Sequence, residues 1–143
     1  MGSPISTKLT AIGVAACFAM TGSDANVVTV VSAKSPITAL SKEQIADIFL
    51  GKSYRFPEGA SATPIDQPEG SSVRGEFYDK VTGKSLAQLK AYWSKIIFTG
   101  RGRPPKAASS SAEVKKMLAA DLSAISYIDD TQVDPSIRVL SAD

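Results

Sequence analysis

Apolar residues change their spacing along the chain, and each spacing predicts a kind of element. Residues 27–31, Val-Val-Thr-Val-Val, are β-branched throughout, and the stiff χ1 of such side chains favours a strand. Apolar side chains on both of its faces suit a sheet covered on both sides, and Ser35-Pro36 ends the run. Residues 40–52 predict a helix with Ile45, Ile48 and Phe49 on one face. Ser41 and Gln44 form a capping box, Leu40 and Ile45 are placed as a hydrophobic staple, and Gly51 supplies a left-handed stop. A loop over 53–60 leads to a short strand over 62–65. After a polar turn, a helix opens near Val73, with Val73, Phe77 and Val81 as its apolar side and Gly83 as its end.

A second capping box, Ser85 with Gln88, precedes a helix whose stripe is Leu86, Leu89, Trp93, Ile96 and Ile97. That stripe reads as core rather than as a binding surface. Gly100, Gly102, Pro104 and Pro105 predict loop over 98–109. Ser110 with Glu113 caps a further helix bearing Val114, Met117 and Leu118, and residues 124–128 and 137–140 read as strands. The order β-α-β-α-α-α-β-β, with helices between apolar strands, predicts an α/β fold.

The N-terminal stretch follows a different pattern. Residues 9–20, LTAIGVAACFAM, are small or apolar and uncharged, with Lys8 just before them. At about 1.5 Å per residue such a run is too short for a hydrocarbon core of ~30 Å. A positive flank, a short apolar run and small residues at Ser23 and Ala25 match a secretory signal peptide, so residues 1–25 are expected to be cleaved, leaving 26–143 as one α/β domain. A buried helix is the alternative, although the run has no polar face. Val14-Ala15-Ala16-Cys17 also resembles a lipobox, in which Cys17 would become a lipidated N-terminus. The expected location is periplasmic or secreted, lipid-anchored through Cys17 in the second case.

Composition narrows the chemistry. Of 143 residues 43% are hydrophobic and 21% charged, which suits one folded domain and excludes a disordered chain or a multi-span membrane protein. Sixteen Lys and Arg against fourteen Asp and Glu give a net charge of +2, too weak a bias to imply nucleic acid. With no His and one Cys, the chain lacks the residues of most metal sites and of every His-based triad, so no metal or cofactor is expected.

Three groups of residues remain as candidates for chemistry. Gly70, Ser71 and Ser72 precede the helix that opens near Val73, and Arg74 stands in its first turn. Unpaired amides at a helix N-terminus, two hydroxyls and a guanidinium suit a phosphate-like or sulfate-like oxyanion; the alternative is an ordinary serine N-cap. The second group, Arg101, Arg103 and Lys106, lies in a run from Lys95 to Lys106 without an acid. It can hold an anion or meet an acidic partner, or simply be solvated. Nucleic acid is not expected, because Tyr92 and Trp93 fall in a helix and no aromatic is interleaved with the cations. The third group, Asp66 with Glu69 and Asp129 with Asp130, reads as solvated turn carboxylates. Without a nucleophile motif around them, no enzyme is expected.

Residues 37–52, ITALSKEQIADIFLGK, resemble a segment of phosphate-binding proteins, the periplasmic subunits of phosphate ABC importers. Gly70-Ser71-Ser72-Val73-Arg74-Gly75-Glu76-Phe77 is similar to their G-S-G-T-R-x-x-F turn, and Ser123-Ala124-Ile125-Ser126-Tyr127-Ile128 to their g-a-I-G-Y-v strand. Residues 66–70, Tyr92-Trp93 and 98–105 are similar to short exported proteins of that group. The resemblance implies one lobe of a type 2 periplasmic-binding fold, a mixed sheet flanked by about four helices. It further implies an exported substrate-binding-like domain that holds phosphate or a similar oxyanion weakly and meets an ABC-importer membrane subunit or another periplasmic protein. The family's glycine and threonine are Ser72 and Val73 here, and Gln67 stands where the family places an arginine. Those departures remove a hydroxyl donor and a charged clamp. The alternative is a non-catalytic protein–protein interaction module that kept the fold and lost the ligand.

Overall fold

A computed structural model describes residues 26–141. The predicted signal peptide and Cys17 lie outside the described residues. Five strands form one mixed sheet in the order β3-β2-β4-β1-β5. They are β1 (Val27–Ser32), β2 (Thr63–Asp66), β3 (Lys106–Ala107), β4 (Ala124–Asp129) and β5 (Ile137–Val139). The helices are α1 (Lys42–Phe49), α2 (Ser72–Thr82), α3 (Leu86–Phe98) and α4 (Ser111–Ala120), with a short 3-10 turn after β4. This is a mixed α/β architecture, as the spacing predicted.

β1 and β4 are the central strands, running antiparallel with Thr29 opposite Tyr127. β5 extends the sheet antiparallel to β1, while β2 lies parallel to β4 and β3 parallel to β2. The valines of β1 alternate between two cores, because successive side chains leave opposite faces of a strand. Val27 and Val31 join Ile45, Phe49, Phe77 and Leu89 under α1, α2 and α3. Val30 joins Val114, Leu118 and Ile128 under α4 on the other face.

Both capping boxes are present. Ser41 and Ser85 each accept from the amide three residues on, and Gln44 and Gln88 each accept from the cap amide. Helix ends carry the predicted glycines: Gly51 has φ +72° and Gly83 φ +72°. After α1, Lys52 N–H bonds the Asp47 carbonyl at 2.8 Å and Gly51 N–H that of Ile48, which satisfies carbonyls the helix leaves open. Arg138 bonds the carbonyls of Ala33, Ser35 and Ile37 and so holds the bend after β1.

Four expectations change. The helix expected over 40–52 is regular only over Lys42–Phe49, its outer residues being caps. The loop expected over 98–109 is shorter: α3 keeps Phe98, and Lys106–Ala107 form β3, an element missing from the predicted order. Two residues between prolines and a serine cluster have no periodicity of their own. They are extended because the outer edge of β2 offers Ile65 and Asp66 as partners, and Ala108 N–H bonds the Asp66 carbonyl at 2.8 Å. The stripe on α3 is also only half core: Leu89 and Trp93 are buried, whereas Leu86 and Ile97 are exposed, Ile97 at 54%. Finally, Asp66 is not a solvated turn carboxylate but a buried one at the end of β2.

Candidate functional site

At the C-terminal end of β2 the chain buries a carboxylate and surrounds it with donors. Asp66 Oδ1 accepts from the Tyr127 hydroxyl and, at 2.9 Å, from the Gln67 amide. Oδ2 accepts from the Tyr78 hydroxyl at 3.0 Å and from Arg74 Nε at 3.4 Å. Tyr78 and Phe77 come from α2 and Tyr127 from β4, and their rings pack with Phe49: Phe77 stacks on Tyr127 at 3.9 Å. The network is fully satisfied, since every buried side-chain polar atom among the described residues has a partner. Arg74 also lies over the Tyr78 ring, 5.4 Å from its centre.

Burial, followed by the Asp66 charge, raises the ionisation of Tyr78 and of Tyr127 far above the usual phenol range. A phenol whose folded pKa is raised binds its proton where the unfolded chain has already lost it. Stability is therefore unaffected below about pH 10 and falls as pH rises beyond it, by about 1.4 kcal/mol per pH unit for each phenol. In an alkaline titration followed at the phenolate absorbance, these two tyrosines are expected to ionise only together with unfolding. Their ionisation with native far-UV circular dichroism retained would show the network to be open.

Gln67, which stands where the resemblance places an arginine, donates from Nε2 to the Tyr127 carbonyl at 2.9 Å and to Ser111 Oγ at 3.3 Å. It therefore ties β2 to β4 and to the start of α4. The oxyanion candidates lie just beyond. Ser71 is the N-cap residue of α2, yet its hydroxyl makes no capping bond. Ser71 N–H bonds the Pro68 carbonyl and Arg74 N–H the Ser71 carbonyl, while the amides of Ser72 and Val73 have no acceptor among the described residues. A Cβ on Gly70 would meet nothing within 4 Å, so nothing in the surrounding protein requires glycine there. With Nε on Asp66, the two Nη groups of Arg74 have no hydrogen-bond partner among the described residues.

A groove of about 570 Å³ opens beside Asp66. One wall is the face of α3 bearing Leu86, Lys90, Trp93 and Ile97; the opposite side carries Pro104, Pro105 and Ala107, and Asp66, Gln67, Glu69 and Arg74 close it. Ser71 and Ser72 do not line it. Of the second group, Arg101 and Arg103 share a separate hollow with Tyr54, while Lys106 sits in β3 and belongs to neither space. Asp129 does act as a turn carboxylate, accepting from Thr131 N–H and Oγ1 and titrating below its usual range because of those bonds. Sequence reasoning missed the part played by Asp66 and Tyr78. A buried acid in a chain with so few aromatics is marked only by the tyrosines that meet it, and those are 12 and 61 residues away.

No family model matches the sequence, and none of the curated proteins matches it significantly. Solved structures do match the fold. A Clostridium perfringens protein described as a phosphate ABC transporter substrate-binding protein, with bound phosphate, superposes with a TM-score of 0.64 at 21% identity, over 82% of this chain and 44% of its own. An ABC-type phosphate transport receptor from Vibrio cholerae gives 0.64 at 17% identity, over 81% of this chain and 45% of its own. PstS from Borrelia burgdorferi gives 0.60 at 15% identity, over 82% and 47%. The chain thus has the fold of a part of these binding proteins and spans less than half the length of each. Among the described residues, no helix is long and apolar enough to cross a membrane.

Proposed function

We propose that this protein is a non-enzymatic, extracytoplasmic binding domain that holds phosphate or a similar oxyanion weakly at Gly70, Ser71, Ser72 and Arg74. The observation that carries the reading is the free chemistry at the start of α2: an N-cap hydroxyl that caps nothing and, among the described residues, two amides without acceptors and a guanidinium fork with two open Nη groups. Such donors suit an anion, because the helix N-terminus adds partial positive charge. The phosphate bound by the matching Clostridium perfringens protein supports the same ligand class. Weak binding follows from Asp66, whose carboxylate takes Arg74 Nε and lowers the local positive charge, and from Gln67 in place of a charged clamp. The signal-like residues 9–25 support export, and a phosphate ABC importer is the partner we propose.

Phosphate added at millimolar concentration to isotopically labelled protein is expected to shift the amide resonances of residues 70–74 before any others. Unmoved resonances there, with phosphate or with sulfate, would sink the reading. Ser71→Ala separates ligand from fold. Since the hydroxyl makes no cap bond, stability should change by less than about 0.5 kcal/mol. Loss of one hydrogen bond to a charged ligand should weaken phosphate about tenfold, readable in the same titration.

A further inference from the structure

The groove beside Asp66 and the oxyanion turn meet at Arg74, which lines the one and stands in the first helical turn of the other. Its Nε is held by Asp66, and its two Nη groups have no partner among the described residues. A planar fork of that kind takes a phosphoryl group through parallel, charge-assisted bonds. The groove holds about 570 Å³, inside the range of about 300–1,000 Å³ usual for small-molecule sites. A bare tetrahedral anion leaves most of that space empty.

The walls of this space are apolar. Leu86, Trp93 and Ile97 share one face of α3, and Pro104 and Pro105 stand opposite. Ile97 is 54% accessible and Leu86 36%, so the described residues leave much of that face uncovered. The opposite wall is anchored, because residues 106–107 pair with β2 and Ala108 N–H bonds the Asp66 carbonyl. A site ordered before binding loses less entropy on binding. The charges of the lining balance, Arg74 and Lys90 against Asp66 and Glu69, and Asp66 is already met by four donors. Beyond the open Arg74 fork, the groove therefore suits an uncharged occupant.

Trp93 adds a polar requirement. The side chain is 6% accessible, and its indole N–H has no acceptor among the described residues. Every fully buried side-chain polar atom among them has a partner, so this N–H is reached from outside, and Trp93 lines the groove. It is a donor held open for whatever fills that space.

We infer that the ligand of this site is an organic phosphate monoester rather than inorganic phosphate. Its phosphoryl group sits on the Arg74 fork at the start of α2. Its uncharged organic body lies between α3 and Pro104–Pro105, with an apolar face on Ile97 and an oxygen that accepts from the Trp93 N–H. The inference rests on the oxyanion reading above and names its ligand class. It also accounts for weak capture of inorganic phosphate, which leaves the apolar walls and the indole N–H unused.

Trp93 is the single tryptophan of the sequence, so its indole N–H gives one resonance in the isotopically labelled protein. The probes are 4-acetylphenyl phosphate, inorganic phosphate, and 4-methoxyacetophenone as the same body without the phosphate. The ester is expected to shift residues 70–74 and the indole together and to bind at least about tenfold more tightly than either control. Inorganic phosphate should move residues 70–74 alone. Ile97→Ser, at an exposed position, should weaken the ester about threefold or more while leaving the far-UV spectrum and the affinity for inorganic phosphate unchanged. Ester binding no tighter than that of inorganic phosphate, with the indole unmoved, would overturn this inference and leave the oxyanion reading standing. If neither anion moved residues 70–74, both readings would fall. Phosphatidylglycerol vesicles offer a phosphate diester on an apolar surface; an indole shift with them and none with the soluble ester would equally overturn the inference.

Discussion

Asp66→Ala is expected to lower the unfolding free energy by about 3–5 kcal/mol, the range found when one partner of a buried charge pair is removed. Asp66 accepts from four donors: Gln67 N–H beside it, Tyr78 and Arg74 on α2, and Tyr127 on β4. Its removal strands two buried hydroxyls and a largely buried guanidinium at once, and each loses its acceptor where water cannot replace it. Urea unfolding followed by far-UV circular dichroism measures the change as a lower midpoint at unaltered slope. Asp66→Asn keeps the shape and one acceptor oxygen but places an amide against two donors, so it should fall between wild type and Asp66→Ala. A loss below about 1 kcal/mol for Asp66→Ala would mean that the donors find other partners and that the network is not structural.

Phe77→Ala should cost about as much, 3–5 kcal/mol by the usual scale for a fully buried aromatic, for an unrelated reason. Phe77 is 1% accessible, stacks face to face on Tyr127 and meets Phe49 edge-on at 4.8 Å. Truncation opens a void between α1, α2 and the sheet that neighbouring rings cannot fill without leaving their own contacts. Heat unfolding should show a large drop in midpoint, and near-UV circular dichroism should lose tyrosine intensity as the rings become mobile. Phe77→Leu, which refills most of the volume, should recover much of the loss. The two sites touch through Tyr127, so the double variant Asp66→Ala/Phe77→Ala should cost less than the sum of its parts.

The helices were legible because their signals are local. Capping boxes at Ser41 and Ser85 and left-handed glycines at 51 and 83 act within four residues, and the structure keeps each one. Strand β1 was legible for a similar reason, since five β-branched or valine positions in a row leave little alternative. β3 was not, because an extended pair of residues becomes a strand only when another edge is there to bond it. The apolar stripe of α3 shows the limit of periodicity. Spacing says that Leu86, Leu89, Trp93 and Ile97 share a side of the helix, but not how much of that side another element covers.

For the candidate site the division is sharper. Gly70, Ser71, Ser72 and Arg74 were visible as neighbours in sequence, since a helix N-terminus is assembled from consecutive residues. Arg101 and Arg103 were visible in the same way, while Lys106 was grouped with them by number and parted from them by β3. What the sequence determined by itself was the set of elements whose caps, stops and branched runs are local, and the class of fold they build. Only the tertiary structure decided that Asp66 is buried among Tyr78, Tyr127 and Arg74, that Ser71 is left uncapped, and that half of α3 faces a groove. Each of these depends on residues far apart in the chain meeting at the end of β2, where burial turns a solvated acid into the acceptor of a closed network.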